Sequence, residues 1–259
     1  MTDRIAKRHL VIPDTQLKPG VPTEHIKWAA QYAIDKKPDS IIIGGDWADM
    51  SSLSSYDVGK KSFEGRTYVK DIEIANDCLS MLFDPIDKES ARTIASHKKR
   101  WVPRKVVTLG NHENRINVAV DLDRKLDGLI GITDIRFKEF GCEVFPFLKP
   151  AVVDGVVYCH FFASGVLGRP ITTAKALLTK LHQSCFAFHQ QGKDIAYGKR
   201  ADGTRLTSII SGSFYQHNED YLNPQTNNVW HGVWLLNEVE NGSFDEMPVS
   251  LNFLRERYG

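Results

Sequence analysis

Val106-Val107-Thr108-Leu109-Gly110-Asn111-His112-Glu113-Asn114-Arg115 is the stretch on which the reading of this chain turns. Val106, Val107 and Leu109 have the β-branched and apolar character of a short strand buried on both faces, and Gly110 lets the backbone turn before a run of polar side chains. In an open α/β sheet, ligands bind just beyond the carboxyl ends of the strands, so Asn111, His112 and Glu113 stand where a site would be. A lone histidine after a strand is more often a loop residue than a catalyst, and this stretch gains weight from others like it.

Leu10-Val11-Ile12 runs into Pro13-Asp14-Thr15-Gln16, and Ile41-Ile42-Ile43 into Gly44-Gly45-Asp46-Trp47-Ala48-Asp49. Val156-Val157-Tyr158-Cys159 ends at His160, and Cys185-Phe186-Ala187-Phe188 at His189-Gln190-Gln191. Each apolar run finishes in a carboxylate, an amide or an imidazole. Strands with their ends together would gather these groups into one patch of oxygen and nitrogen donors suited to divalent cations.

In order along the chain, Asp14-Thr15-Gln16, Gly45-Asp46-Trp47-Ala48-Asp49, Gly110-Asn111-His112-Glu113, His160 and Phe188-His189-Gln190-Gln191 resemble the motifs of the calcineurin-like metallophosphoesterases, over roughly residues 9 to 215. Gln16 and Gln191 stand where that family usually has histidine, and Phe188 where it usually has glycine. The resemblance implies two divalent cations bridged by Asp46, the first completed by Asp14, Gln16 and Gln191 and the second by Asn111, His160 and His189. Two such cations lie about 3.5 to 4 Å apart, hold a bridging hydroxide that attacks phosphorus in line, and clamp the phosphoryl oxygens. His112 then serves the leaving group, with Asp49 orienting it, because an imidazole beside a carboxylate keeps its proton near neutral pH. Taken singly, Asp49 reads equally as a loop cap and His160 as a core histidine. Neutral amides are poor donors for softer metals, so manganese or magnesium is expected ahead of zinc, with iron(II) and nickel as alternatives. Glutamine in the first motif also occurs in relatives similar to the manganese-dependent nucleotide diphosphatases.

The resemblance therefore implies hydrolysis of a phosphodiester or a nucleotide phosphoanhydride. Two alternatives stand beside it: a DNA exonuclease or endonuclease of the same superfamily, and a non-catalytic binding scaffold with a degenerate metal site. With 33 basic against 32 acidic residues, no global field draws polyanions, so nucleic-acid binding would need a local patch. Arg115 and Arg169 are the expected substrate contacts, Arg115 reading equally as a surface ion pair.

The 259 residues, 42% hydrophobic and 25% charged, are expected to form a single α/β domain over 1–259, and with the resemblance the expected fold is a four-layer αββα sandwich with two facing mixed β-sheets. Cys78, Cys142, Cys159 and Cys185 lack metal spacing and read as buried thiols of a reducing compartment. The polar N-terminus and the lack of an apolar run of membrane-spanning length predict a cytoplasmic protein with no membrane partner.

Thr23 is the expected N-cap of a helix burying Ile26, Ala29, Ala30, Ala33 and Ile34, which makes the first two strands a parallel pair. The polar loop from Met50 to Arg66, with Lys60 and Lys61, is expected to contact substrate. Two helices are predicted over 69–84 and 88–100, the second ending in Lys98-Lys99-Arg100 as a solvated terminus or, in the minority reading, a phosphate-backbone patch. A helix is expected to begin after Glu113, and Asp154-Gly155 to turn a hairpin between strands at 152–153 and 156–157. A further helix is expected over 171–182, and strands over 144–147, 195–197, 206–210, 229–236 and 249–254, the C-terminal set completing a second sheet.

Overall fold

The computed structural model describes residues 6–55, 59, 63–96, 100–217 and 229–259. Lys60, Lys61, Lys98 and Lys99, on which part of the loop and helix-terminus readings falls, lie outside the described residues.

The first sheet is built on β1 (Lys7–Ile12), β2 (Ser40–Ile43), β3 (Arg104–Thr108) and β4 (Glu143–Phe145), each parallel to the next. Two antiparallel strands, β12 (Gly232–Glu240) and β13 (Ser243–Ser250), extend it beyond β1 in the order β13-β12-β1-β2-β3-β4. The second sheet has the order β10-β11-β9-β6-β5. Its members are β5 (Ala151–Val153), β6 (Val156–Cys159), β9 (Cys185–Ala187), β10 (Lys193–Lys199) and β11 (Arg205–Ser211), with β6, β9 and β11 parallel. A small hairpin, β7 (Ala163–Ser164) and β8 (Arg169–Pro170), follows β6.

Period-two alternation places the layers. Val11, Ile42, Val106, Trp234 and Leu236 point inward from the first sheet to meet Val156, Tyr158, Phe186 and Ile209 of the second. Their neighbours Leu10, Ile12, Ile41, Ile43, Val107 and Leu235 point outward, against α1 (Glu24–Lys36), α2 (Tyr68–Ala95) and α5 (Leu251–Tyr258). Val157, Cys159, Cys185, Ala187 and Ile210 turn outward from the second sheet against Leu177 of α4 (Ala174–Leu181). The result is the expected four-layer αββα sandwich of two mixed sheets.

Several local expectations are corrected. Residues 68–95 form one continuous helix with Pro85 inside it, because the apolar stripe of Cys78, Leu79, Leu82, Phe83 and Ile86 runs unbroken past the proline and outweighs its missing donor. Thr23 precedes α1 without a side-chain cap bond. The strand expected over 249–254 ends at Ser250, whose hydroxyl accepts from the Phe253 N–H and starts α5. Strands β12 and β13 join the first sheet and not the second, since the inward faces of Trp234 and Leu236 fit beside Val11. The hairpin at Asp154-Gly155 forms as expected, with φ of 48° and 85°. All four cysteines are buried and unpaired thiols. No described helix is long and apolar enough to cross a membrane.

Candidate metal centre

β1, β2, β3, β6 and β9 all deliver their C-terminal ends to one edge of the sandwich. The helix α3 (Asn111–Leu122) begins at Asn111 and not after Glu113, so His112 and Glu113 lie in its first turn. The backbone N–H of His112 donates to Asp46 Oδ1 at 2.9 Å, so the anion met by this helix start is the protein's own carboxylate. Glu113, fully buried, accepts from the N–H groups of Gly110 at 2.8 Å, Ala48 at 2.9 Å and Asp46 at 3.0 Å. It therefore ties the loop after β2 to the loop after β3. The close approach requires glycine: a Cβ on Gly110 would lie 2.1 Å from Asp46 Oδ1, and one on Gly45 2.6 Å from the Gly110 nitrogen.

Asp46, His160 and His189 bring ligand atoms within 4.8 Å of one another and form the Asp/His/His group able to hold a metal ion among the described residues. His160 Nδ1 donates to the Gly44 carbonyl at 3.1 Å, which turns Nε2 toward Asp46 Oδ2 at 3.2 Å and Asn111 Oδ1 at 2.9 Å. Two oxygens converging on Nε2 call for positive charge at that point. Burial opposes a proton on this imidazole, but Asp46 and Asp14 raise the His160 pKa to about 9. His189 sits beside it, ring centroids 5.1 Å apart, and burial together with the His160 charge lowers it to about 4, the neutral form a metal ligand needs.

Asp14 is wholly buried. Its Oδ1 accepts from the His189 N–H at 3.2 Å, while Oδ2 has no hydrogen-bond partner among the described residues. Burial, opposed by His160 and reinforced by Asp46, raises its pKa to about 7. An orphaned carboxylate oxygen in a dry interior is costly, and a cation would satisfy it. Gln16 and Gln191 are also buried at this edge. The Gln16 N–H donates to the Asp46 carbonyl at 2.8 Å, and Gln191 Oε1 accepts from the Tyr215 hydroxyl at 2.6 Å. Gln16, Asp46, His189 and Gln191 all hold left-handed backbone, with φ of 44°, 48°, 66° and 55°. Such a concentration of strained non-glycine residues marks a site whose side-chain directions matter more than backbone comfort.

The expected leaving-group pair is brought together. His112 Nδ1 donates to Asp49 Oδ1 at 2.7 Å, and Nε2 lies 3.8 Å from Asp46 Oδ2. Burial opposes protonation of His112, but Asp46 and Asp49 raise its pKa, and burial of Asp49 is outweighed by His112, Lys18 and Arg115, which hold that carboxyl low. Burial likewise works against Asp46, yet His112 and His160 keep it well below the usual carboxylate range. Arg115 is joined to this pair: its guanidinium donates to the Asp49 carbonyl at 2.7 Å and lies 3.4 Å from His112 Nε2. Arg169 lines a shallow cleft of about 490 Å³ together with Pro170, Thr172, Gln190 and His189 of the cluster.

Phe188, where the resemblance leads one to expect glycine, packs its ring against Gly44; a Cβ on Gly44 would sit 2.2 Å from the ring. Sequence reading set Glu113 at the site edge without giving it a role, and missed Tyr215 as a site residue. An acid three positions after a strand-ending glycine is a helix-start signal that would have supplied that role. No local signal marks Tyr215.

No family model matches the chain, and no curated protein matches it. A crystal structure aligns over 95% of this chain and 100% of its own at 9% identity with a TM-score of 0.44, a likeness too distant to add to the geometry. Fold and cluster together define an αββα sandwich with a candidate metal site at its strand ends.

Proposed function

We propose that this chain, acting as a single domain, is a metal-dependent phosphoesterase that hydrolyses a phosphodiester or a nucleotide phosphoanhydride. The observation that carries the reading is the His112–Asp49 pair lying beside the Asp46–His160–His189 group, with Asp14 Oδ2 orphaned next to it. A binding scaffold has no need of a protonated imidazole poised at that edge. Bound divalent cations would activate water and neutralise phosphoryl charge. Asp14, Asp46, Asn111, His160 and His189 would hold them, with Gln16 and Gln191 as neutral oxygen donors at the first site. Manganese is the expected ion.

The chain's own residues then perform the rest. Asp49 fixes the His112 ring through Nδ1 and sustains its charge, leaving the Nε2 proton for the departing oxygen. Arg115 and the Asp49 carbonyl brace that pair. Glu113 holds the two loops at the spacing on which the Asp46–His112 contact depends.

A second reading is a non-catalytic scaffold with one ion. It is favoured by Asp46–His160–His189 being the one such group among the described residues and by the engagement of Gln191 Oε1 with Tyr215. The deciding experiment pairs manganese, magnesium, zinc and nickel with a bis-aryl phosphate, an aryl phosphate, cyclic nucleotides and single- and double-stranded DNA. Turnover of diesters faster than monoesters supports the phosphoesterase reading. Stoichiometric binding of one ion with no turnover of any ester supports the scaffold.

A further inference from the structure

The layer outside the second sheet differs from the rest of the molecule in charge. Between Gly155 and Ala201 the chain carries six cations, Arg169, Lys175, Lys180, Lys193, Lys199 and Arg200, against one carboxylate, Asp194. Of the 33 basic and 32 acidic residues overall, that leaves 27 against 31 elsewhere, so a nearly neutral chain concentrates its positive charge in one layer. Strand alternation divides the six. Lys193 and Lys199 share a face of β10 with Ile195, which packs between the sheets, and the Lys193 ammonium lies over the Trp230 ring at 5.0 Å. Asp194 faces the other way, and its Oδ2 accepts from the Ala174 N–H at 2.7 Å, at the start of α4. The four remaining cations are exposed around α4. Lys175 and Lys180 flank its outer face, opposite buried Ala174 and Leu177. Arg200 donates at 3.0 Å to the carbonyl of His182, the C-cap of the helix. Lys180 donates to Ser164 Oγ, and Ser164 is the register partner of Arg169 in the β7–β8 hairpin. Asp202, two residues beyond Arg200, accepts from the Thr204 N–H at 2.9 Å. Among the described residues no ion pair joins any of the four cations to a carboxylate.

Direct contacts join this layer to the metal centre. Arg169, Pro170 and Thr172 line one cleft with Gln190 and the candidate ligand His189, and Gln190 Nε2 donates to the Ile171 carbonyl at 3.1 Å. The helix α4 begins two residues after Thr172 and carries the cations on from the cleft for ~12 Å. A stacked single strand passes about three or four phosphates over such a length. The hairpin between cleft and helix ends in Val166 and Leu167, apolar and largely exposed. An apolar tip among unpaired cations matches a polymer that presents both a charged backbone and open base faces, whereas a duplex hides its base faces in the stack. Asp46 and His160 are moreover buried, and a duplex, stiff over about 150 base pairs, does not bend a phosphodiester into a recess.

We infer that α4 and the β7–β8 hairpin form a docking face for single-stranded nucleic acid, whose phosphates lie on Arg169, Lys175, Lys180 and Arg200 and which reaches the metal centre past His189. The fate of the bound strand rests on the phosphoesterase reading, but docking is tested without turnover. The full chain, held in chelator at low salt, is titrated against a short fluorescein-labelled oligothymidylate and followed by anisotropy. Binding is expected, and Lys175→Gln with Lys180→Gln is expected to weaken it by about tenfold. The slope of log affinity against log salt should flatten by about 1.4 in that variant, about 0.7 for each lost phosphate contact. Lys27→Gln with Lys36→Gln, on α1 outside the other sheet, removes the same charge and should leave binding unchanged. With manganese present, the α4 variant should hydrolyse a bis-aryl phosphate as the parent does and lose kcat/KM on the oligonucleotide alone. No binding by the parent, equal binding by parent and α4 variant, or equal weakening by the α1 variant would overturn the face. So would tighter binding of the duplex form, or of phosphatidylserine vesicles in place of the oligonucleotide. Hydrolysis of the bis-aryl phosphate without oligonucleotide binding removes the face and leaves the phosphoesterase reading standing. Variant-sensitive binding with no hydrolysis of any ester upholds the face and removes that reading.

Discussion

His112 lies outside the Asp46–His160–His189 group: its Nδ1 is committed to Asp49 and its Nε2 faces Asp46 at 3.8 Å. His112→Ala should therefore lower kcat by about 10²- to 10⁴-fold while leaving metal content unchanged. Metal analysis of the purified variant beside its steady-state kinetics checks both halves, and equal activity in variant and parent would defeat the leaving-group assignment. The two glutamines give a second test at this scale. In the proposed two-ion centre Asp14 and Asp46 would offer carboxylates to a first ion, whereas Gln16 and Gln191 would add only neutral amides, and the Gln191 oxygen already accepts from Tyr215. Replacing both by histidine should tighten zinc far more than magnesium, and weaken any stimulation by added manganese. Calorimetric titration of parent and double variant decides it; two equally tight zinc sites in the parent, unaffected by Gln16→Ala, would remove the glutamines from the ligand set.

The loops after β2 and β3 are held as one unit by backbone contact and by Glu113, and the strand end at Phe188 is packed onto the same unit through Gly44. A methyl group at residue 44 cannot be accommodated unless the phenyl ring moves. Gly44→Ala should cost about 1–3 kcal/mol as an overpacking substitution. Phe188→Ala alone should cost about 3–5 kcal/mol as a buried aromatic deletion. Because the two share one contact, the double variant should be less destabilised than the sum, by a coupling of about 0.5–3 kcal/mol. Urea unfolding of the four proteins measures it, and strict additivity would show that the ring does not bear on Gly44.

For the whole molecule the telling group is His25, on α1 behind the metal edge. It is buried, packs edge-on to Phe214 at 5.0 Å, and its Nε2 has no hydrogen-bond partner among the described residues. The Phe214 N–H in turn donates to the Asp14 carbonyl at 2.7 Å, so this packing backs the site. Burial, with the nearby His217 and His231, lowers its pKa from 6.5 to about 3. Between those values the unfolded chain takes up a proton that the folded chain does not, so stability is full above 6.5 and falls as pH drops toward 3, by up to about 1.4 kcal/mol per unit. His231 and, without metal, His189 are also lowered and act in the same direction. His25→Gln should make the stability profile of the metal-free protein shallower between pH 6.5 and 4 than that of the parent. Denaturant midpoints across that range provide the check, and an unchanged slope would show that His25 does not titrate in the linkage.

Strand alternation, the apolar stripes of the helices and the polar residues closing each strand were legible from the chain alone, because burial imposes its period on neighbouring residues and each strand end is a local event. That was enough for the αββα sandwich and for naming Asp14, Asp46, Asn111, His160 and His189 as neighbours at one edge. The tertiary structure alone decided what no local pattern encodes. It sent β12 and β13 to the first sheet and carried α2 through Pro85, since both outcomes depend on apolar partners far away in sequence. It also made Glu113 the tie between loops more than sixty residues apart, gave Gln191 to Tyr215, and left Asp14 Oδ2 without a partner among the described residues. Those contacts depend on left-handed backbone at Gln16, Asp46, His189 and Gln191, which local propensity disfavours and only the surrounding packing can hold in place.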